Sequence, residues 1–357
     1  KFPKQVIHFV DISVSIQKQF LDYFESFSNK LLALFFSSFK EVILIDTDTI
    51  PLINPDLFFE SNQYKSSKSY FFRDRELNHK FPINTKKFFL NLFPNYNDTH
   101  FFDFNQINCN FSRILGNPSF NHNMESGIVV LDKYKYFNGI LLSLVLQFWR
   151  PITANIHGEK ELYWLSQLIV GNDQFQFNKN YAVSIGKLSP TTNEFSKIKA
   201  NELCSTHPGH ISDDNATLLW FNSGFLNCKN WNTWEVDFQY ELESGLLDNN
   251  PDIQKDDPFT LIKYYTDPLR IDAFLIPARG INDEVHINTQ DHYEPSTNWI
   301  KTKRCKSYLW CAYDLINGDE KNSEEKGKIV YIKETDKLLY NFYGDIWVYY
   351  HNSIPDI

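Results

Sequence analysis

An α/β fold built on a mixed, mostly parallel sheet flanked by helices is what the sequence predicts, and three observations predict it. The run Val42-Ile43-Leu44-Ile45 is uninterruptedly apolar and largely β-branched, as in a strand buried on both faces. A second β-branched run, Gly127–Leu131, repeats the pattern. Between and around them stand stretches with apolar residues at helical spacing: Asn29–Phe39, Lys133–Trp149 and Leu162–Val170.

Taken in order, Lys4–Val10 reads as a short strand, and Ser13–Ser28 as a helix with Phe20, Leu21, Phe24 and Phe27 at helical spacing. Ser13 or Ser15 would cap it. Asn29–Phe39 is apolar on most sides and is expected to be buried against the sheet. After the acidic strand end, Pro51-Leu52-Ile53-Asn54-Pro55 cannot continue a ladder and reads as a turn, followed by one helical turn at Asp56–Glu60. Ser69–Phe72 is a strand leading to Arg73-Asp74-Arg75. Residues 76–123 are loop-rich and are expected to form an insertion over the site. Glu125-Ser126 leads into the Gly127–Leu131 strand, and Arg150-Pro151 ends the next helix. His157–Glu161 opens Leu162–Val170, which Gly171 stops. Leu218–Leu226 is a strand broken at Asn222-Ser223-Gly224. From residue 230 onward the elements are short and mixed, with Asp345–Tyr350 strand-like.

The chain has 357 residues, enough for a large core in one elaborated domain or two. A formal net charge of −9 without a Lys/Arg block argues against nucleic acid or an anionic membrane surface as the main partner. Aromatic residues at 17%, together with the acids, suit a neutral polyol ligand such as a sugar. The five cysteines form no C-x-x-C pair, so no zinc site is expected. Three sequons (at Asn97, Asn110 and Asn215) join them in pointing to the secretory pathway, with one or two disulfides. The longest apolar run, Gly139–Val145 and on to Trp149, is too short to cross a bilayer. The chain begins at Lys1, so any N-terminal anchor is expected to lie outside it.

Asp46 and Asp48 are the leading candidates. Two hard oxygen donors one residue apart, at the C-terminal end of a buried strand, suit Mg²⁺ or Mn²⁺, which in turn holds a diphosphate. The alternative is a pair of turn-formers bonded to the backbone. Arg73 and Arg75 would clamp a diphosphate bidentately or form a surface ion pair. Glu125 stands at a strand entry with Gly127 allowing close approach by a ligand; the alternative there is a strand-edge bulge. Glu159 and Glu161 flank Lys160 at a helix N-terminus, where acids are favoured by the helix dipole whatever their function. His207 and His210 share a turn, and one of them would supply a nitrogen ligand to Mn²⁺.

Five blocks in order, Ala33–Pro55, Phe71–Arg75, Glu125–Asp132, His157–Leu165 and Cys204–Lys229, resemble the Mnn1-type fungal α-mannosyltransferases of the yeast Golgi. The blocks span most of residues 30–230. The resemblance implies a GT-A-like fold and a type II membrane protein with a lumenal Golgi catalytic domain. It implies GDP-mannose as donor, Mn²⁺ (Mg²⁺ as substitute) as cofactor, and retaining transfer to a mannose hydroxyl of a glycan. On this basis residues 1–230 are the catalytic domain and 231–357 a C-terminal extension packed on it. Asp46 and Asp48 match the family's D-x-D and would hold metal and diphosphate, Asp48 more directly. Arg73 and Arg75 fall on the donor side and favour α-1,3 over α-1,2 linkage. Glu125, Glu159 and Glu161 line the acceptor side as catalytic candidates, and His210 is a third metal ligand by analogy to other retaining GT-A enzymes. Glu159 stands where the family more often has Asp. Only 45 residues precede Asp46, so the chain is expected to lack the first strand–helix unit of a GT-A domain. The rival readings are a catalytically impaired, truncated glycan-binding domain and an aspartyl phosphohydrolase. Asp46–Ile50 misses the phosphohydrolase pattern D-x-D-x-[TV] only at its last position.

Overall fold

The computed structural model describes residues 9–350 except 25, 77–81, 106, 108–122, 193–196, 246–252, 255–256, 282–294, 297–298 and 317–318. Most of the strand expected at Lys4–Val10, Cys109 and the sequon at Asn110 lie outside the described residues.

The first four strands are β1 (Glu41–Ile45), β2 (Ile50–Pro51), β3 (Ser69–Arg73) and β4 (Met124–Asp132). β1 and β3 both pair antiparallel with β4, in the order β1-β4-β3. They therefore run parallel to each other without touching, and their C-terminal ends emerge at the sheet edge where β4 begins. Every residue of β4 is buried. Its side chains alternate as a strand requires. Val129 and Leu131 join Leu31, Leu34, Ile140, Leu162 and Leu165 of the helices Asn29–Phe36, Phe137–Leu146 and Leu162–Ile169. Ile128 and Val130 face Phe58, Tyr70, Phe72 and Trp220 on the other side.

The next strands are β5 (Val183–Gly186), β6 (Ser189–Thr192), β7 (Lys199–Ser205), β8 (Pro208–Ile211), β9 (Leu218–Phe221) and β10 (Ala273–Ile276). After them come β11 (Gly280–Ile281), β12 (Pro295–Ser296), β13 (Trp299–Lys301), β14 (Trp310–Tyr313) and β15 (Lys328–Tyr331). A six-stranded sheet has the order β15-β10-β5-β8-β9-β2, and a four-stranded one β13-β14-β7-β6. Strands from before and after residue 230 share both sheets. Two disulfides cross the same point: Cys204–Cys311, directly opposite on β7 and β14, and Cys228–Cys305.

The α/β class holds, but the mostly parallel sheet does not. Every described ladder is antiparallel, and the one parallel pairing among the described residues is an isolated bridge, Phe71 to Phe177. β1 is an edge strand with Glu41 and Ile45 exposed, not a strand buried on both faces. Its apolar run arises because helices cover one face and an aromatic cluster the other, which imitates a parallel core strand.

Local expectations shift for similar reasons. Ser13–Ser28 forms three short 3₁₀ segments, and Phe20, Tyr23 and Phe24 close on Phe148. Pro51 pairs with Trp220 instead of turning, which an edge strand permits because its outer N–H needs no partner. Within 76–123 the described residues include helices Ile83–Leu90 and Tyr96–Phe101, and Phe89 lies in the main core. Asp345–Tyr349 belongs to the helix Glu334–Tyr349, with Tyr350 as its C-cap; Trp347 and the buried Gly344 both lie against Phe225. No described helix is long and apolar enough to cross a membrane.

Candidate active site

The edge where β1 and β3 end and β4 begins gathers most of the singled-out carboxylates. Asp46 continues the β1 ladder by donating its N–H to Gly127 O (2.9 Å). Its side chain is 22% exposed, and both its oxygens reach Lys30 Nζ, at 2.8 and 3.1 Å. Burial raises the Asp46 carboxyl above its ordinary value, against the pull of Lys30. Two residues on, the Asp48 carboxylate is more open at 43%, with Lys229 at 3.9 Å. The Asp48 carbonyl accepts Gly224 N–H (2.6 Å), which ties the D-x-D turn to the loop after β9. In that loop Ser223 holds φ at +87°, a costly conformation for a residue with a Cβ.

Behind this open edge lies a buried ionic network. Lys160 Nζ donates to Glu125 Oε2 (2.8 Å) and Asp74 Oδ2 (3.1 Å). Burial opposes the charge of both carboxylates, yet Lys160 and the other groups around them hold each below the usual carboxylate range. Glu125 Oε1 accepts from Gly127 N (3.2 Å) and Asn222 Nδ2 (3.0 Å), so both its oxygens are engaged. Gly127 makes room for protein, not for a ligand: a Cβ there would meet Thr49 Oγ1 and Trp220 at 2.7 Å. Glu159, 2% exposed, binds Lys30 (2.6 Å) and accepts from Ser126 Oγ (2.9 Å).

Other predicted residues take different places. Glu161 is fully buried and accepts from Met124 N (3.1 Å) and from Trp164 Nε1, which anchors the start of β4 to the helix. Arg73 donates to Asn178 O (3.1 Å) and lies against Tyr181. Arg75, half-buried, lies against Trp299 and Trp310 with its backbone N–H on Asp74. Neither guanidinium stands with Asp46 and Asp48. His210 stacks on Trp220 at 3.9 Å, and burial lowers it to about 4.

The oxygen set tests what cation the edge accepts. Asp46 and Asp48 offer hard oxygens at an accessible edge, the donor type Mn²⁺ or Mg²⁺ takes. His210, enclosed by Trp220 and Phe72, does not complete the set. Among the described residues, the one group of three clustered potential ligands is Glu202, Cys204 and Cys311, and its sulfurs form a disulfide. The fit therefore rests on the two aspartates.

Sequence reasoning missed Lys30 and the bridging role of Asn222. Lys30 opens a helix 96 residues away from Ser126, which it contacts. Asn222 accepts from Thr49 Oγ1 (3.3 Å) while donating to Glu125, which joins the D-x-D turn to β4. No local pattern marks either role. The one hint was the position of Asn222 inside the block Cys204–Lys229; Lys30 precedes the first block.

A family described as "Mannosyltransferase putative" matches residues 1–212. "Putative alpha-1,3-mannosyltransferase MNN13" of Candida albicans is 36% identical over 360 residues, covering 97% of this chain and 46% of that protein. "Alpha-1,3-mannosyltransferase MNT2" of Saccharomyces cerevisiae is 28% identical over 356 residues, covering 97% of this chain and 58% of that protein. "Alpha-1,3-mannosyltransferase MNT3" of the same yeast is 27% identical across 97% of this chain and 54% of its own length. The chain thus spans about half the length of the curated relatives it matches.

Proposed function

The chain belongs to this mannosyltransferase family, and on that premise we propose that it carries the GT-A-like centre of a metal-dependent retaining α-mannosyltransferase. The donor in this reading is GDP-mannose and the acceptor a mannose hydroxyl of a glycan, with α-1,3 linkage favoured by the names of the relatives. The full-length protein would be anchored in the Golgi membrane with this part in the lumen.

One observation carries the reading: the Asp46-x-Asp48 carboxylates stand at an accessible sheet edge, directly before a buried and fully paired ionic network. Asp46 and Asp48 would hold the cation, and Mn²⁺ or Mg²⁺ when bound supplies positive charge against the departing diphosphate. Behind them, Lys160, Glu125 and Asn222 keep the D-x-D turn and β4 in fixed register, which matters because misplacement by about an ångström can cost about 10²-fold in rate. The roles of the glutamates divide accordingly. Glu159 adjoins Asp46 through Lys30, whereas Glu125 and Glu161 have their oxygens committed to the scaffold. Arg73 and Arg75 keep the donor-side role proposed for them, each held in place by its own contacts, to Asn178 and Asp74.

Asp48→Ala is expected to abolish Mn²⁺-dependent mannose transfer from GDP-mannose to a mannoside. Near-wild-type transfer by that variant would remove the donor-site assignment.

A further inference from the structure

Five oxygens converge on Lys30 Nζ: Asp46 Oδ1 at 2.8 Å, Asp46 Oδ2 at 3.1 Å, Glu159 Oε1 at 2.6 Å, and Ser126 O and Oγ each at 3.0 Å. An ammonium has three N–H groups, so this shell offers more acceptors than a lysine can satisfy at once. Two carboxylates, a backbone carbonyl and a hydroxyl around one point are the donors that hard divalent cations take. The Tyr163 hydroxyl adds an independent sign of a polar pocket. Tyr163 is 3% exposed, and its hydroxyl has no hydrogen-bond partner among the described residues and feels the negative charge of Glu159 and Asp46.

We propose that Lys30 is a positioning residue that plugs a second, non-productive cation pocket between Asp46, Glu159 and Ser126, and so directs the divalent cation outward to Asp48. The proposal rests on the mannosyltransferase reading for its consequence, but the pocket itself is a property of this chain. With Lys30 in place, one of the two negative charges of Asp46 and Glu159 is offset and a divalent ion meets a like charge there. With Lys30 removed, two anions face each other across the same five oxygens. A divalent ion is then drawn to the inner pocket, away from Asp48. A merely structural lysine would lower both cation binding and turnover when lost. A plug moves them in opposite directions.

The test is direct Mn²⁺ titration, followed by the electron-spin signal of the free ion, without nucleotide. Lys30→Met is expected to bind Mn²⁺ on the order of tenfold more tightly than wild type, while transfer from GDP-mannose falls about tenfold or more. Adding Glu159→Gln to Lys30→Met removes one anion from the pocket and is expected to return the affinity to near wild type. Lys30→Gln, neutral and polar though one atom shorter, carries the same expectation should Lys30→Met not fold. A folded neutral variant that binds Mn²⁺ no more tightly than wild type overturns the proposal. Wild-type protein without Mn²⁺-dependent transfer would instead overturn the functional reading, and the titration would still decide the pocket.

Discussion

Ile45 and Ile128 are the same residue, directly opposite each other on neighbouring strands, yet one is 38% exposed and the other fully buried. The difference separates two halves of the site. β1 is an edge strand that delivers Asp46 and Asp48 to a surface a ligand can reach. β4 is the central strand, and its carboxylate, Glu125, is tolerated inside only because Lys160, Asn222 and a backbone N–H satisfy it. The open half is suited to bind and the closed half to hold the register. Of the two edge acids Asp48 is the more open, since Asp46 has both oxygens on Lys30.

The largest effect is expected from unpairing the closed half. Lys160→Met leaves Asp74 and Glu125, 6% and 3% exposed, without their shared cation. Breaking a buried pair this way typically costs about 3–5 kcal/mol, measurable by urea unfolding. A loss below about 1 kcal/mol would mean the network is better hydrated than the burial shows. Next comes the isoleucine pair itself. Ile128→Ala is expected to cost about 2–5 kcal/mol and Ile45→Ala within about 1 kcal/mol. Equal losses would erase the distinction between centre and edge.

Glu161 sharpens the comparison through pH. Burial pushes its carboxyl up to about 8 from an ordinary 4.5. The folded protein keeps a proton there that the unfolded chain releases, so this contribution to stability is whole below pH 4.5 and is lost as pH rises through about 8. Glu161→Gln should flatten the fall in melting temperature between pH 5 and 8 (about one group's titration). An unchanged slope would place the proton elsewhere.

The smallest effect concerns His210. Its pKa is depressed to about 4 from 6.5, so its contribution is present above pH 6.5 and is lost as pH falls toward 4. His210→Phe, keeping the stack on Trp220, should reduce acid sensitivity and leave Mn²⁺ affinity unchanged. A drop in that affinity would restore His210 as a ligand.

Much of this was visible before the fold was known, and the failures have physical causes. The strand runs at Val42–Ile45, Ser69–Phe72 and Gly127–Leu131, and the stop at Gly171 with φ +74°, follow from local rules that tertiary structure respects. Strand direction was not legible, because an apolar run is equally consistent with a parallel core strand and a well-covered antiparallel edge. Asp345–Tyr350 looked like strand because its branched and aromatic residues have β propensity, but packing on Phe225 decided for helix through Tyr349. Lys30, Lys160 and Asn222 meet their partners across 16 to 173 residues, and nothing in a window of sequence encodes such contacts.

The most direct test of the account is whether GDP with Mn²⁺ raises the melting temperature. A ligand at about 100 times its Kd adds about 2.7 kcal/mol to the folded state, a shift of a few °C for a chain of this size. The account predicts that shift for the wild-type protein and none for Asp48→Ala. No shift in wild type, or the same shift in both, would contradict a nucleotide-sugar site at the end of β1.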